Sequence, residues 1–219
     1  MIFWSACLAG GLIAYLLGSI PTAYLVGRLH HLDIRQHGSG SVGATNALRV
    51  LGKWPALGVL AVDILKGVAA VILARGLSAW LFDSSISLPA ILDEQVWTPW
   101  AASLAGAAAL LGHSRSIWLG FGGGKSVATG LGVVLALSWP VAIGALAVFA
   151  IALAVTRIVS LGSILAALTA ILLVLALQQP LPYQLLVVVG GVYVVVRHRT
   201  NAQRLLNGTE PRIGQVAGD

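Results

Sequence analysis

The chain has 219 residues, of which 58% are hydrophobic and 9% charged. Soluble globular domains carry about a quarter charged residues, which excludes a water-soluble fold; at about 20 apolar residues per spanning helix there is room for roughly six or seven crossings in one membrane domain, 1–219. The formal net charge of +6 comes from basic residues lying between apolar runs, where the positive-inside rule, anionic headgroups and anionic substrates account for it, so no nucleic-acid partner is expected.

The N-terminal MIFWSACLAGG lacks the basic region of a secretory signal and reads as the start of a retained first span. Seven apolar runs follow in order: Phe3–Val26, Trp54–Leu73, Trp97–Leu111, Val127–Leu137, Val141–Val155, Leu161–Leu177 and Tyr183–Val196. They predict an all-α, polytopic helix bundle of about seven transmembrane helices. The fourth run is short and stops before Pro140, so it reads as a half-span or re-entrant segment if not a full crossing. Cys7, the single cysteine, lies within the first run and reads as a small packing residue.

Alternating the loops puts Arg28, Arg35, Arg49, Lys53, Arg115, Lys125, Arg157, Arg197, Arg199, Arg204 and Arg212 on one side. The other side holds Arg75 with Asp83, Asp93 and Glu94. That split predicts an external N-terminus, a cytoplasmic C-terminus and polar loops on the cytoplasmic face.

The first polar constellation is DIRQHGSGSVGATNALR, Asp33 to Arg49. Gly38, Gly40 and Gly43 permit a tight, ligand-approaching backbone, whose N–H groups form an anion-binding nest. Ser39, Ser41, Thr45 and Asn46 add polar groups, and Arg49 a bidentate donor. GSGSVG matches a dinucleotide fingerprint, but neither a preceding strand nor a βαβ unit is legible. The second constellation, GHSRSIWLGFGGGKSVATG, brings His113, Gly122, Gly123, Gly124, Lys125 and Ser126 to the start of a helical pattern, a recipe for binding phosphate. An ATP-binding P-loop would need glycine at Leu119. In the tail, His198 and Asn201 are spaced to share a helical face, although juxtamembrane Arg residues also serve topology alone. Arg157, Ser160 and Ser163 sit between the fifth and sixth runs, where serines also cap helices. Asp63 and Lys66, three apart inside the second run, read as a structural ion pair. His30, His31 and His37 follow no zinc spacing; no metal and no cofactor are expected.

With GSGSVGATNALR, GHSRSIWLGFGGGKSVATG, the SLGS of Ser160 to Ser163 and HRTNAQRLLNGTE in this order, almost the whole chain resembles the acyl-phosphate-dependent glycerol-3-phosphate acyltransferases of bacteria, the PlsY family. The resemblance implies a seven-helix protein of the bacterial inner membrane with a cytoplasmic site. It implies acyl transfer from acyl phosphate to glycerol 3-phosphate, giving 1-acylglycerol 3-phosphate and phosphate. It further implies a functional link to an acyl-phosphate-forming enzyme. Ser39, Arg49, Lys125, His198 and Asn201 are the positions it places on phosphate and substrate, with the second-loop glycines and serines near Ser163 contributing. Two motifs depart from the family pattern: Ser41 replaces the Asn of GSGN, and Gly122 and Ser126 replace the first Lys and last Gly of FKGGKG.

Acyl phosphate is already activated, so direct attack by the glycerol hydroxyl is expected, with Lys125, Arg49, Ser39 and the Gly122–Gly124 backbone holding phosphate. The proton passes to phosphate or to His198. No Ser–His–Asp set is legible, and the H-x-x-x-x-D box of acyl-carrier-protein-dependent enzymes is absent. The acyl chain calls for an apolar groove opening to the bilayer. The alternative is a small transporter of phosphate or a phosphorylated metabolite; its need for polar access from both faces conflicts with the one-sided motifs. A subunit that only binds anionic lipid would leave the hydroxyl and glycine motif unexplained.

Overall fold

The computed structural model describes residues 2–84 and 93–214; residues 85–92, within the expected acidic loop, lie outside them. Among the described residues the fold is helical, with one isolated antiparallel bridge between Ser116 and Gly122. Each apolar run becomes helix. The first is a broken pair, α1 (Ile2–Ser19) and α2 (Thr22–Leu29). The next loop contains the short α3 (Ala44–Val50), and α4 (Lys53–Asp83) follows it. α5 (Glu94–Ser114), α6 (Val127–Leu137), α7 (Trp139–Thr156), α8 (Val159–Ala176) and α9 (Leu181–Arg197) follow, and α10 (Arg199–Leu206) lies in the tail.

By length and apolar content Trp4–Leu29, α4, α7 and α8 suffice to cross a membrane, and α9 with α10, bent by 55°, makes a fifth candidate. α5 carries Glu94, Pro99 and His113. The 11 residues of α6 rise about 16 Å, roughly half of a ~30 Å hydrocarbon core. The half-length fourth segment therefore has the bounds expected from sequence.

Two runs differ from expectation. The first is interrupted at Ile20–Pro21, because proline has no N–H and its ring clashes with the preceding turn. Ile20 N–H bonds Leu17 O at 3.3 Å and Thr22 N–H bonds Ile20 O at 3.0 Å instead. The second run continues past Leu73 to Asp83. Arg75 does not end the helix, because its Nη1 donates to Ala136 O at 2.9 Å and caps the C-terminal turn of α6.

The chain forms two compact units, Met1–Leu137 and Ser138–Asp219. In the first, α4 packs against α1, α2, α3, α5 and α6. In the second, α8 packs on α7 and α9, and α10 on α8 and α9. Many large apolar side chains point outward, among them Leu8 (77% exposed), Leu172 (68%) and Val189 (68%). Such a surface suits lipid, where burial of Leu against Leu gives no hydrophobic gain and small residues must bring helices together. The N-terminal unit is built that way. A Cβ on Gly18 would overlap the Ala109 backbone, and one on Gly112 the Tyr15 carbonyl, so α1 and α5 meet backbone to backbone. Gly67 meets Thr129 O and Gly132 meets Ile64 O in the same manner between α4 and α6. Ala14, Ala70, Ala74, Ala105 and Ala109 line a buried alanine seam among α1, α4 and α5.

Gly67→Leu is expected to lower the thermal unfolding midpoint in detergent by several degrees, since overpacking costs about 1–3 kcal/mol or more against a rigid backbone. Gly58→Leu, on a stretch of α4 with nothing within 4 Å of a new Cβ, leaves the midpoint in place.

Candidate active site

The first loop is organised from within. Asp33 caps a 3-10 turn, Ile34–Gln36, by accepting from Arg35 N at 3.0 Å, and it pairs with the Arg35 guanidinium at 2.6 Å. The Arg35 guanidinium beside it, by hydrogen bond and charge, lowers the Asp33 carboxyl to about 2. Arg35 also lies 4.8 Å from the centroid of the Tyr24 ring. Gly38 (φ +61°) and Gly40 (φ +68°) adopt the left-handed conformation that their missing Cβ allows.

Asn46 is 1% exposed. Its Oδ1 accepts from Ser39 N at 2.8 Å, and its Nδ2 faces the carbonyls of Ile34 (3.1 Å), His37 (3.1 Å) and Ser41 (2.9 Å). Its amide is therefore engaged in shaping the loop. Ser39 and Arg49 are exposed; Thr45 and Gly43 are half-buried at the start of α3.

The second loop leaves α5 after Ser114. Ser116 N–H bonds Gly122 O at 3.0 Å, and Gly124 N–H bonds His113 O at 3.1 Å. A Cβ on Gly123 would overlap His113 O, and one on Gly124 the His113 ring, so these glycines are required by close approach to α5. Gly122 differs: it is exposed, and a Cβ there meets only Leu119 O at 3.2 Å. Lys125 is half-buried. Ser126 is 1% exposed, has φ +60°, and donates through Oγ to Leu110 O at 2.9 Å.

The two loops share one apolar floor. Ala23, Ile34, Val42, Ala47, Ala56 and Val59 form a buried cluster beneath the first loop, and Leu119 of the second packs against it. Ser116 Oγ, also of the second loop, donates to Ser19 O at 2.6 Å. Beside this floor, Ile13, Leu16, Leu17, Ile20, Pro21, Tyr24, Leu25 and Trp118 line an apolar groove of about 570 Å³.

The expected Asp63–Lys66 pair forms at 2.8 Å, with both residues almost fully buried. It has further partners: Thr22 Oγ1 donates to Asp63 at 3.0 Å, Lys66 Nζ donates to Ile20 O at 3.0 Å, and His113 Nδ1 stands 3.9 Å from Asp63.

In the C-terminal unit His198 is the junction of α9 and α10, so it and Asn201 are related through a helix end instead of one continuous face. His198 is 3% exposed, and its Nδ1 donates to Val194 O at 2.8 Å. A carbonyl only accepts, so in the neutral ring the lone pair sits on Nε2.

Ser160 is not the N-cap of α8; that position is Ile158. Its Oγ donates to Glu210 Oε1 at 2.7 Å. Asn201 Nδ2 donates to the same oxygen at 2.5 Å, and Arg204 Nε to Oε2 at 2.7 Å. Burial raises the Glu210 carboxyl, but the hydrogen bonds from Asn201, Ser160 and Arg204, with the Arg204 charge, outweigh it and leave the group below its ordinary value. Ser163 donates to Val159 O at 2.9 Å.

Glu210 was missed by sequence reasoning. The signal was present: it is the single acidic residue between Glu94 and Asp219, amid Arg197, Arg199, Arg204 and Arg212.

Ser126 occupies a left-handed position that costs a residue with a Cβ about 1–2 kcal/mol. Ser126→Gly relieves that strain while losing one hydrogen bond, and Ser126→Ala keeps the strain and loses the bond. Ser126→Ala is expected to be less stable than Ser126→Gly by about 1–2 kcal/mol in thermal unfolding.

A family model for glycerol-3-phosphate acyltransferases matches residues 8–208. The chain is 63% identical over 219 residues to a "Glycerol-3-phosphate acyltransferase 2" of Rhizobium johnstonii, covering 99% of this chain and all of the relative. It is 52% identical to a glycerol-3-phosphate acyltransferase of a Nostoc species, covering 98% of this chain and 96% of the relative. It also superimposes on the crystal structure of PlsY, an integral membrane glycerol 3-phosphate acyltransferase, in its glycerol 3-phosphate form. That match has a TM-score of 0.83 and 37% identity, and covers 95% of this chain and 96% of the other. The lysophosphatidic acid form of PlsY gives a TM-score of 0.80 and 36% identity, with 95% of each chain covered. Membership, carried by the full length and by both glycine loops, follows: the chain belongs to the glycerol-3-phosphate acyltransferase family.

Proposed function

We propose that this protein transfers a fatty acyl group from acyl phosphate to glycerol 3-phosphate, giving 1-acylglycerol 3-phosphate and inorganic phosphate. The observation that carries the reading is the shared apolar floor, which seats Leu119 of the second loop beneath the first. A transporter, the alternative from sequence, is disfavoured by the family.

In the reaction, the 1-hydroxyl oxygen of glycerol 3-phosphate bonds to the acyl carbonyl carbon and the bond from that carbon to the phosphate oxygen breaks. Lys125, Arg49 and Ser39 stabilise charge on the departing phosphate and hold the two substrates together; the Gly122 and Gly124 N–H groups are taken by Leu119 O and His113 O, so the Gly122–Gly124 turn serves by placing Lys125. Gly40, Gly43 and Thr45 complete the first cradle, which Asn46 shapes. The hydroxyl proton goes to the leaving phosphate, which departs as hydrogen phosphate. His198, with its lone pair on Nε2, is the second-ranked acceptor; Asn201, Ser160 and Ser163 serve substrate binding through the organisation of the tail.

The groove lined by Leu16, Leu17, Tyr24 and Trp118 suits the acyl chain. Tyr24 carries Arg35 of the first loop over its ring, and Trp118 belongs to the second. In this reading the N-terminus is outside and the loops face the cytoplasm of a bacterial inner membrane, supported by the one-sided cations. The donor comes from an acyl-phosphate-forming enzyme.

Purified protein given acyl phosphate and glycerol 3-phosphate should release phosphate, and acyl-CoA or acyl-carrier protein should not replace the donor; a folded sample inert with all three donors overturns the proposal. Lys125→Met is expected to reduce kcat about 10²–10³-fold, as loss of a donor to developing charge does. His198→Ala is expected to raise KM more than it lowers kcat; loss of kcat alone, across all pH, makes His198 the base instead. Gly122→Lys restores the family's cation at an exposed position where the new Cβ meets only Leu119 O, at 3.2 Å. It should lower KM for acyl phosphate about two- to fivefold, the scale of one exposed charge contact, with the effect shrinking as salt rises.

A further inference from the structure

The buried pair on α4 is more than self-neutralising. Two charges inside an apolar bundle are costly, and an apolar replacement of such a pair is often neutral or stabilising. A pair whose only task was mutual neutralisation would need no other partner. Here each member has one, and each leads to a segment of the site. Lys66 Nζ holds Ile20 O at the α1–α2 break, and Ile20 and Pro21 line the apolar groove. Asp63 takes the Thr22 hydroxyl across the same break and faces His113 Nδ1 at 3.9 Å. The other side of the His113 ring backs Gly124, which has no room for a Cβ. Its backbone carbonyl holds Gly124 N–H at 3.1 Å, and the next residue is Lys125.

We infer that Asp63, Lys66 and His113 are positioning residues that hold the groove wall at Ile20–Pro21 and the phosphate loop at Gly124–Lys125 in one register. This rests on the proposed acyl transfer and deepens it: the cluster touches neither substrate and acts through Lys125. It also moves His113 from direct substrate contact to support of the loop.

The test uses the full-length protein in detergent with the neutral pair Asp63→Asn/Lys66→Met. Thermal unfolding should show a folded protein. With acyl phosphate and glycerol 3-phosphate, kcat should fall at least about tenfold while KM for glycerol 3-phosphate changes less than about threefold, as misplacement of a catalytic group does. In a Lys125→Met background the same pair of changes should cost less than about threefold, because residues acting through one another are non-additive. A second readout needs no turnover. The chain has three lysines, Lys53, Lys66 and Lys125, so ¹³C-methylated Lys125 is assignable by NMR from its loss in Lys125→Met. Its resonance should shift in the neutral-pair variant and lose its response to added inorganic phosphate. A folded variant with wild-type kcat and an unmoved Lys125 resonance overturns the inference, as does a loss that adds in full to that of Lys125→Met. If the neutral pair does not fold, His113→Gln is measured in its place: a fall in kcat with a shifted Lys125 resonance supports the inference, and wild-type kcat with an unmoved resonance overturns it. A wild-type protein without turnover overturns the acyl-transfer reading, and the Lys125 resonance then decides the positioning role alone.

Discussion

Inside a bilayer, a carbonyl that loses its helical N–H has no water to turn to, and that constraint organises this protein. Several helix breaks and helix ends are met by a side chain. Lys66 reaches Ile20 O where Pro21 breaks the first span, and Ser116 reaches Ser19 O one residue earlier. At the end of α5, Ser126 reaches Leu110 O and Tyr15 reaches Arg115 O at 2.8 Å. Arg75 closes the last turn of α6, and His198 closes that of α9. The polar residues of the chain are few, and a large share of them secure broken helix ends. Irregular backbone at such depth is tolerated only where it is held this way.

The same constraint separates two uses of glycine that look alike in sequence. Gly123 and Gly124 read as a phosphate cradle, and both are demanded by protein packing against His113 and Ser114. Gly38 is demanded twice, by φ +61° and by the side chain of Asn46, which a Cβ would overlap. Gly122 is demanded by neither: it is exposed, and a new Cβ there meets only Leu119 O, at 3.2 Å. Ser126 shows the converse. A glycine there fits the left-handed φ without strain, and serine is held in place by its bond to Leu110 O.

Much of the architecture was legible because membrane crossing leaves a one-dimensional record. All seven apolar runs are helices, and the α6 bounds coincide with the fourth run. The loop motifs were legible because glycine, hydroxyl and cationic residues are contiguous. The Asp63–Lys66 pair was legible because its members are three residues apart on one helix. What sequence could not supply were partners far along the chain: Ile20 and Thr22 for that pair, His113 beside it, and Leu119 beneath the first loop. Glu210 gathers Ser160 from 50 residues away, and no local pattern marks that distance. Asn46 reads as a ligand contact from its neighbours; its three carbonyl partners and its burial add a task in shaping the loop that no local pattern marks.

An acyl phosphate joins a long apolar chain to a doubly charged headgroup, so a site for it must change from oil-like to cationic within a few ångströms. A continuous helix makes that change poorly, because its side chains radiate evenly and its backbone is sealed. A broken helix makes it well. At Ile20–Pro21 the chain exposes an apolar wall on the groove side and polar backbone on the other, where Lys66 takes Ile20 O. One turn on, Tyr24 repeats the division within one side chain: its ring lines the groove and also receives the Arg35 cation. In the proposed reading the proline that interrupts the first span falls where the substrate changes character, and the Asp63–Lys66 pair that holds the interruption supports the site from below.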